Sequence, residues 1–86
     1  MKSNIDELKK KIIYRSTYRG TKEMDKLLGA FTRKYINSLN LNDLKSLEEL
    51  LNIDDTNLYN YYNGLKTDIT FDPNNISILF KSFKFS

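Results

Sequence analysis

The sequence predicts an all-α fold: a compact, single-domain bundle of about five short helices. Three observations lead there. Apolar residues recur at three- and four-residue intervals along most of the 86-residue chain, the spacing that keeps them on one helix face. Cap-forming and helix-stopping residues stand at the ends of those stretches. The one strand-like alternation, Thr67-Asp68-Ile69-Thr70-Phe71, has no partner strand and reads as an extended loop. With 40% hydrophobic and 13% aromatic residues, a chain this short can bury about 60% of its unfolded surface in one core. It leaves no room for a second domain.

The first helix is expected from about Ile5 to Ser16, with Ile5, Leu8 and Ile12 as its apolar stripe. Asn4 serves as N-cap, and Asp6 and Glu7 suit the positive end of the helix dipole. It stops near Tyr18-Arg19-Gly20. The second and longest, about Thr21 to Leu39, carries Met24, Leu27, Leu28, Phe31 and Tyr35 on one face. Thr21 is its cap, with Glu23 and Asp25 in the first turn. Gly29 and Ala30 inside it suggest another helix approaching closely, since Gly costs about 1 kcal/mol against Ala in a helix interior.

The third helix, about Asn42 to Asn52, presents Leu44, Leu47, Leu50 and Leu51. The fourth, about Thr56 to Asn63, presents Leu58, Tyr61, Tyr62 and then Leu65. Asp54 or Asp55 caps it, and Asn63-Gly64 supplies a left-handed stop. Asp72-Pro73 reads as a cap followed by proline at the first helical position. It opens the fifth helix, about Asn74 to Phe83, whose face is Ile76, Leu79, Phe80 and Phe83. The stretch from Lys81 to Ser86 reads as helix end or frayed tail. Loops this short favour antiparallel neighbours.

What the chain lacks excludes whole function classes. It has no Cys and no His. That removes disulfides, thiolate nucleophiles, Cys-ligated metals, the usual general base and every Ser–His or Cys–His pair. The adjacent pairs Glu48-Glu49 and Asp54-Asp55 point about 100° apart on a helix and do not converge on one reacting atom. The three glycines, at 20, 29 and 64, are isolated, so no phosphate cradle forms. Metal-ligand spacing is absent from the sequence, so the expectation is no metal and no enzyme. No apolar run approaches the roughly 18 residues of a membrane span, and Met1 to Lys11 has neither signal nor transit character. The expectation is a cytoplasmic protein that does not insert into membranes.

Charge is uneven. Residues 1–35 carry ten Lys/Arg and four Asp/Glu, a balance of +6, whereas the rest carries four and seven, a balance of −3. A basic face suits nucleic acid, an acidic surface or an acidic partner. A nucleic-acid module is the weaker alternative: Lys9, Lys10, Lys11 and Arg15 fall on several sides of the helix, and the acidic middle repels phosphate. A helical adaptor for some other protein is the second alternative.

The turn Tyr18-Arg19-Gly20-Thr21-Lys22-Glu23 is open to two interpretations. Gly20 stands where one helix ends and the next begins, a place that often needs positive φ. In one interpretation it is simply a C-cap, with Glu23 paired locally. In the other, the planar five-donor fork of Arg19 and the Glu23 acceptor at a helix start are displayed around a patch of bare backbone.

The residues of that turn carry a resemblance. The run from Ile12 to Phe31, with Arg19, Gly20, Glu23, Asp25, Leu28 and Phe31, resembles the Arg-Gly-x-x-Glu…Asp signature of the succinate dehydrogenase FAD-assembly factors, the bacterial SdhE family and its mitochondrial relatives. A second block, Leu50-Leu51 followed by Asp54-Asp55-Thr56-Asn57-Leu58-Tyr59-Asn60-Tyr61, is similar to the family's Leu-Leu…Asp-x-Asp-Leu-Tyr/Phe-x-Trp. Tyr18 stands where many members carry a second basic residue, Thr56 and Asn57 replace Pro and Asp, and Tyr61 replaces Trp. The resemblance spans about residues 8–65; the tail 66–86 carries no family signature.

The resemblance implies a small helical chaperone. Such factors bind the flavoprotein subunit of succinate dehydrogenase, or of fumarate reductase, and promote covalent attachment of its FAD. They hold no cofactor of their own stably. Carried over, the implied partner-binding residues are Arg15, Tyr18, Arg19, Gly20, Glu23, Asp25, Asp54, Asp55 and Tyr59. Gly20 would admit a close backbone approach, and Arg19 and Glu23 would supply charged hydrogen bonds.

Overall fold

A computed structural model describes residues 4–84. In chain order the helices are α1 (Asn4–Thr17), α2 (Lys22–Tyr35), α3 (Leu41–Leu51), α4 (Asp55–Tyr62) and α5 (Asn75–Ser82). Among the described residues there is no strand. α1 packs on α2 and α3, α3 on α5, and α5 on α4.

The helices largely bury the faces their spacing marks, except that in the α1 stripe only Ile12 is buried: Leu8 is half-buried and Ile5, near the start of the helix, is exposed. Ile12 of α1, Met24, Leu27, Leu28 and Phe31 of α2, and Leu44, Leu47, Leu50 and Leu51 of α3 form most of the core. Leu58 of α4 and Ile76 and Phe80 of α5 complete it, with Phe83 closing the end of α5. Around Phe80 the core turns aromatic. Phe31 and Phe83 meet edge to face at 5.5 Å, Phe31 and Phe80 at 5.4 Å, a favoured arrangement for ring quadrupoles. Tyr61 stacks on Phe71 at 4.1 Å between ring centres. That contact pins the extended 66–72 segment, which is a loop as its unpaired alternation predicts.

The start and stop signals hold at several ends. Thr21 caps α2, its side chain accepting from the Met24 N–H. Asp54, rather than Asp55, caps α4. Gly64 has φ +72°, the left-handed conformation that glycine adopts without penalty.

Other expectations are corrected. Asn4 already lies in α1, so whatever caps that helix falls outside the described residues. α2 ends at Tyr35, not Leu39: the chain tightens, with Ser38 N–H bonding the Tyr35 carbonyl at 2.8 Å, before Asn40 caps α3. Pro73 does not start α5. Asn74 is the cap, in a reciprocal box with Ser77, because its side chain reaches the Ser77 N–H while Ser77 Oγ accepts from the Asn74 N–H. Leu65 is 57% exposed, since the turn at Gly64 carries it off the α4 face. Gly29 is buried, but a Cβ there would meet Arg33 Nη1 at 3.1 Å. Its close neighbour is an arginine of the same helix folded back over it, not a second helix. The last two residues of the tail lie outside the described ones.

Candidate partner-binding site

The site is built around the end of α3. The last carbonyls of a helix have no partner within it, and the dipole makes that end negative. α3 has no basic residue in its own last turn. The cations arrive from elsewhere in the chain. Arg19 Nη1–H donates to the Leu51 carbonyl at 2.8 Å, and Nη2–H to the Ile53 carbonyl at 2.8 Å. Arg15, one turn earlier on α1, donates to the Asn52 side chain and, at 3.5 Å, to the Leu51 carbonyl. Lys11, a turn earlier again, pairs with Glu48 at 3.0 Å.

Immediately after, the chain starts α4. The Asp54 carboxylate accepts from Asn57 twice, from its side-chain amide at 2.8 Å and its backbone N–H at 3.2 Å. These two bonds, the side-chain one first, hold Asp54 below the usual carboxylate pKa. Asn57 is itself buried, and its side-chain oxygen accepts from the Asp68 N–H at 2.9 Å. A single amide thus ties the cap of α4 to the 66–72 loop. Sequence reasoning missed that role, since nothing in the local pattern distinguishes Asn57 from the exposed asparagines near it.

Asp55, freed from capping, turns toward the α1–α2 corner. Its Oδ1 accepts from Arg19 Nε–H at 2.8 Å and lies 2.8 Å from Nη2. Its Oδ2 accepts from the Gly20 N–H at 2.9 Å. The Arg19 backbone N–H donates to Asp25 in the first turn of α2. The Arg19 side chain is only 11% exposed.

Arg15, Arg19, Gly20, Asp25 and Asp55 therefore join in one internal network, with Asp54 beside it. This overturns the displayed fork: Arg19 points into the fold because the end of α3 and the start of α4 offer it three acceptors. It also overturns the positive-φ turn, because among the described residues only Gly64 has positive φ. Gly20 answers a different need. Its N–H aims at Asp55, and a Cβ there would lie 3.2 Å from Oδ2, tighter than ordinary contact. Nor is Glu23 paired locally: it is exposed and makes no ion pair among the described residues.

What faces outward is a second set. Gly20 and Glu23 are exposed, and Tyr59 is 48% exposed. Glu23 and Tyr59 line two neighbouring grooves between α2 and α4. The larger, about 370 Å³, includes Thr21, Met24, Asp55 and Thr56. The smaller, about 230 Å³, includes Lys26, Leu27 and Tyr62. Before the corner, Tyr14 and Tyr18 are 65% and 69% exposed, with ring centres 4.7 Å apart. Tyr14 was missed; its position off the Ile5–Leu8–Ile12 stripe was the available signal. Among the described residues no group of three or more carboxylates is placed to hold a metal ion, and no helix is long and apolar enough to cross a membrane.

A family model described as flavinator of succinate dehydrogenase matches residues 10–82, which takes in the corner, the end of α3 and both walls of the grooves. A Dictyostelium discoideum protein named succinate dehydrogenase assembly factor 2, mitochondrial, is 37% identical over 59 residues, covering 69% of this chain and 42% of that protein. A Saccharomyces cerevisiae protein of the same name is 36% identical over 55 residues, covering 64% of this chain and 34% of that protein. The chain thus spans less than half the length of these relatives. No solved structure matches it. Two sequence blocks on one folded corner, and a family match over most of the chain, lead to one conclusion: the chain belongs to the flavinators of succinate dehydrogenase, a family of assembly factors for that enzyme.

Proposed function

We propose that this chain binds the flavoprotein subunit of succinate dehydrogenase, or its fumarate reductase counterpart, and promotes covalent attachment of FAD to it. The chain acts as a chaperone rather than as the catalyst of the bond. FAD remains cargo of the partner, since neither groove carries the glycine-rich backbone that cradles a dinucleotide. The observation that carries this reading is the uncommitted face between α2 and α4. Glu23 and Tyr59 line both grooves there, and the exposed Gly20 stands at the corner just before Thr21, which lines the larger one.

Glu23 lies in the first turn of α2, where the dipole favours its charge. A donor from the partner would gain a charge-assisted hydrogen bond there, worth roughly 1.5–3 kcal/mol. Tyr59 is an anchor of the type enriched at binding hot spots, and Tyr18 extends the aromatic surface past the corner. Arg15, Arg19, Asp25, Asp54 and Asp55 serve this face from behind. Lys11, Arg15 and Arg19 are engaged with α3 and α4, which withdraws three cations of the basic first third from the nucleic-acid alternative.

The test is co-expression with the flavoprotein subunit, read by in-gel flavin fluorescence. The native chain should raise covalent flavin well above the level without it. Gly20→Arg should remove that gain while circular dichroism still shows a folded, cooperatively melting bundle. Full flavin attachment with Gly20→Arg overturns the role given to this face.

A further inference from the structure

We propose that Arg19 and Asp55 form a latch that sets the α2–α4 groove, acting on the partner only through Glu23 and Tyr59. This rests on the flavoprotein-binding reading above and reassigns the Arg-Gly half of the motif to positioning.

Three observations carry it. The first is that the latch is closed on itself. Nε, Nη1 and Nη2 of Arg19 all have internal acceptors at 2.8 Å, and both oxygens of Asp55 are occupied, by Arg19 and by the Gly20 N–H. With its side chain 11% exposed, Arg19 presents little of its fork to a partner, and Asp55, which lines the larger groove, is held in place by Arg19 and Gly20. The second is placement. Asp55 is the first residue of α4 and Tyr59 lies four residues on, one turn along the same helix face. Gly20 and Arg19 sit just before α2, whose first turn holds Glu23. The latch therefore joins the two helix starts that carry the two outward-facing groups. The third is that α2 and α4 are not among the closely packed helix pairs, because the grooves lie between them. α4 reaches the shared core through Leu58, while at its start the contacts that tie it to the α1–α2 corner are the polar ones of Asp55. The latch thus explains why an inward-facing arginine belongs to a recognition motif: its directional bonds hold the start of α4 against the corner that leads into α2.

A double-substitution cycle tests this on the full chain. Affinity for the purified apo-flavoprotein subunit is measured for the native protein, Arg19→Lys, Asp55→Asn and the pair, each checked by thermal melting. Arg19→Lys keeps the charge but loses the fork, so it should weaken binding about tenfold. Asp55→Asn should do the same, and the pair should be no weaker than the worse single variant. Glu23→Gln should weaken binding further on any of these backgrounds. Retained affinity in Arg19→Lys would mean that the fork sets nothing the partner reads, and additive losses in the pair would mean that Arg19 and Asp55 act independently; either result overturns the latch.

A second arm needs no partner. In the free protein, Asp55→Asn should shift the amide resonances of Gly20 and Glu23 and the ring resonances of Tyr59, leaving those of Phe80 in place. Unmoved Tyr59 and Glu23 signals overturn the latch even in a stably folded variant. If the native chain shows no affinity for the flavoprotein, the functional proposal fails, while this arm still decides whether the latch exists.

Discussion

Two regions of this small bundle are held by opposite means. Around Phe80, rings from α2, α4, α5 and the flanking Phe71 and Phe83 meet edge to face, stacked or tilted. The tyrosines there reach backbone carbonyls at the end of the chain with their hydroxyls, Tyr61 to Ser77 and Tyr62 to Phe83. Around Arg19 the joining is polar: carbonyls, a guanidinium, a carboxylate and one glycine N–H close on one another. Burial is nondirectional and scales with area, so the aromatic region tolerates changes of shape that keep volume. Hydrogen bonds fail when one partner moves or changes its donor count. The aromatic region therefore supplies stability, and the polar corner supplies position.

The largest effect should come from breaking the first region. Phe80 is fully buried, and Phe80→Ala should cost about 3–5 kcal/mol, a large share of the stability of a domain of this size. Chemical denaturation checks it; a loss below about 1 kcal/mol would show that the ring cluster is not the anchor described here. A smaller change of opposite sign sharpens the comparison. Thr32 is buried among apolar neighbours, and its hydroxyl has no hydrogen-bond partner among the described residues. Replacing it by the near-isosteric valine removes an unsatisfied polar atom, so Thr32→Val should stabilise by about 1 kcal/mol. No polar group of the Arg19 corner should be removable in that way.

The smallest effect concerns acid. Asp54 has its pKa lowered in the folded state, chiefly by Asn57. Its contribution is complete above the ordinary carboxylate value of 3.8 and is lost as pH falls through the lowered folded value. NMR titration should place the Asp54 midpoint below 3.8, with the Asn57 amide following the same curve. Asp54→Asn, which keeps a cap without a charge, should remove that limb of the stability profile.

The difference between the regions also explains what could be read from the sequence. The apolar faces repeat locally, so Met24-Leu27-Leu28-Phe31 and Ile76-Leu79-Phe80-Phe83 announce their helices and their burial. Caps are local too, and Thr21, Asp54 and Gly64 sit as their residue types demand. The direction of Arg19 is not local. Its acceptors lie 32 to 36 positions away, and no periodicity encodes a pairing across that span. The motif marks one corner of the fold, but which of its residues face outward depends on where the end of α3 falls. Asn57 was illegible for the same reason, because its role exists only once the chain returns at Asp68.

One consequence follows from α3 taking its terminal cations from the other end of the chain. Closing a segment of more than thirty residues carries an entropic toll, and here the reward arrives only when α1, the corner, α3 and α4 have all assembled. A partly collapsed chain would leave the α3 carbonyls and the Asp55 carboxylate without their arginine, and its groove without a defined width. The proposed docking face is thus completed by global folding rather than by any local turn. A client protein would meet either a finished helper or one with nothing to grip.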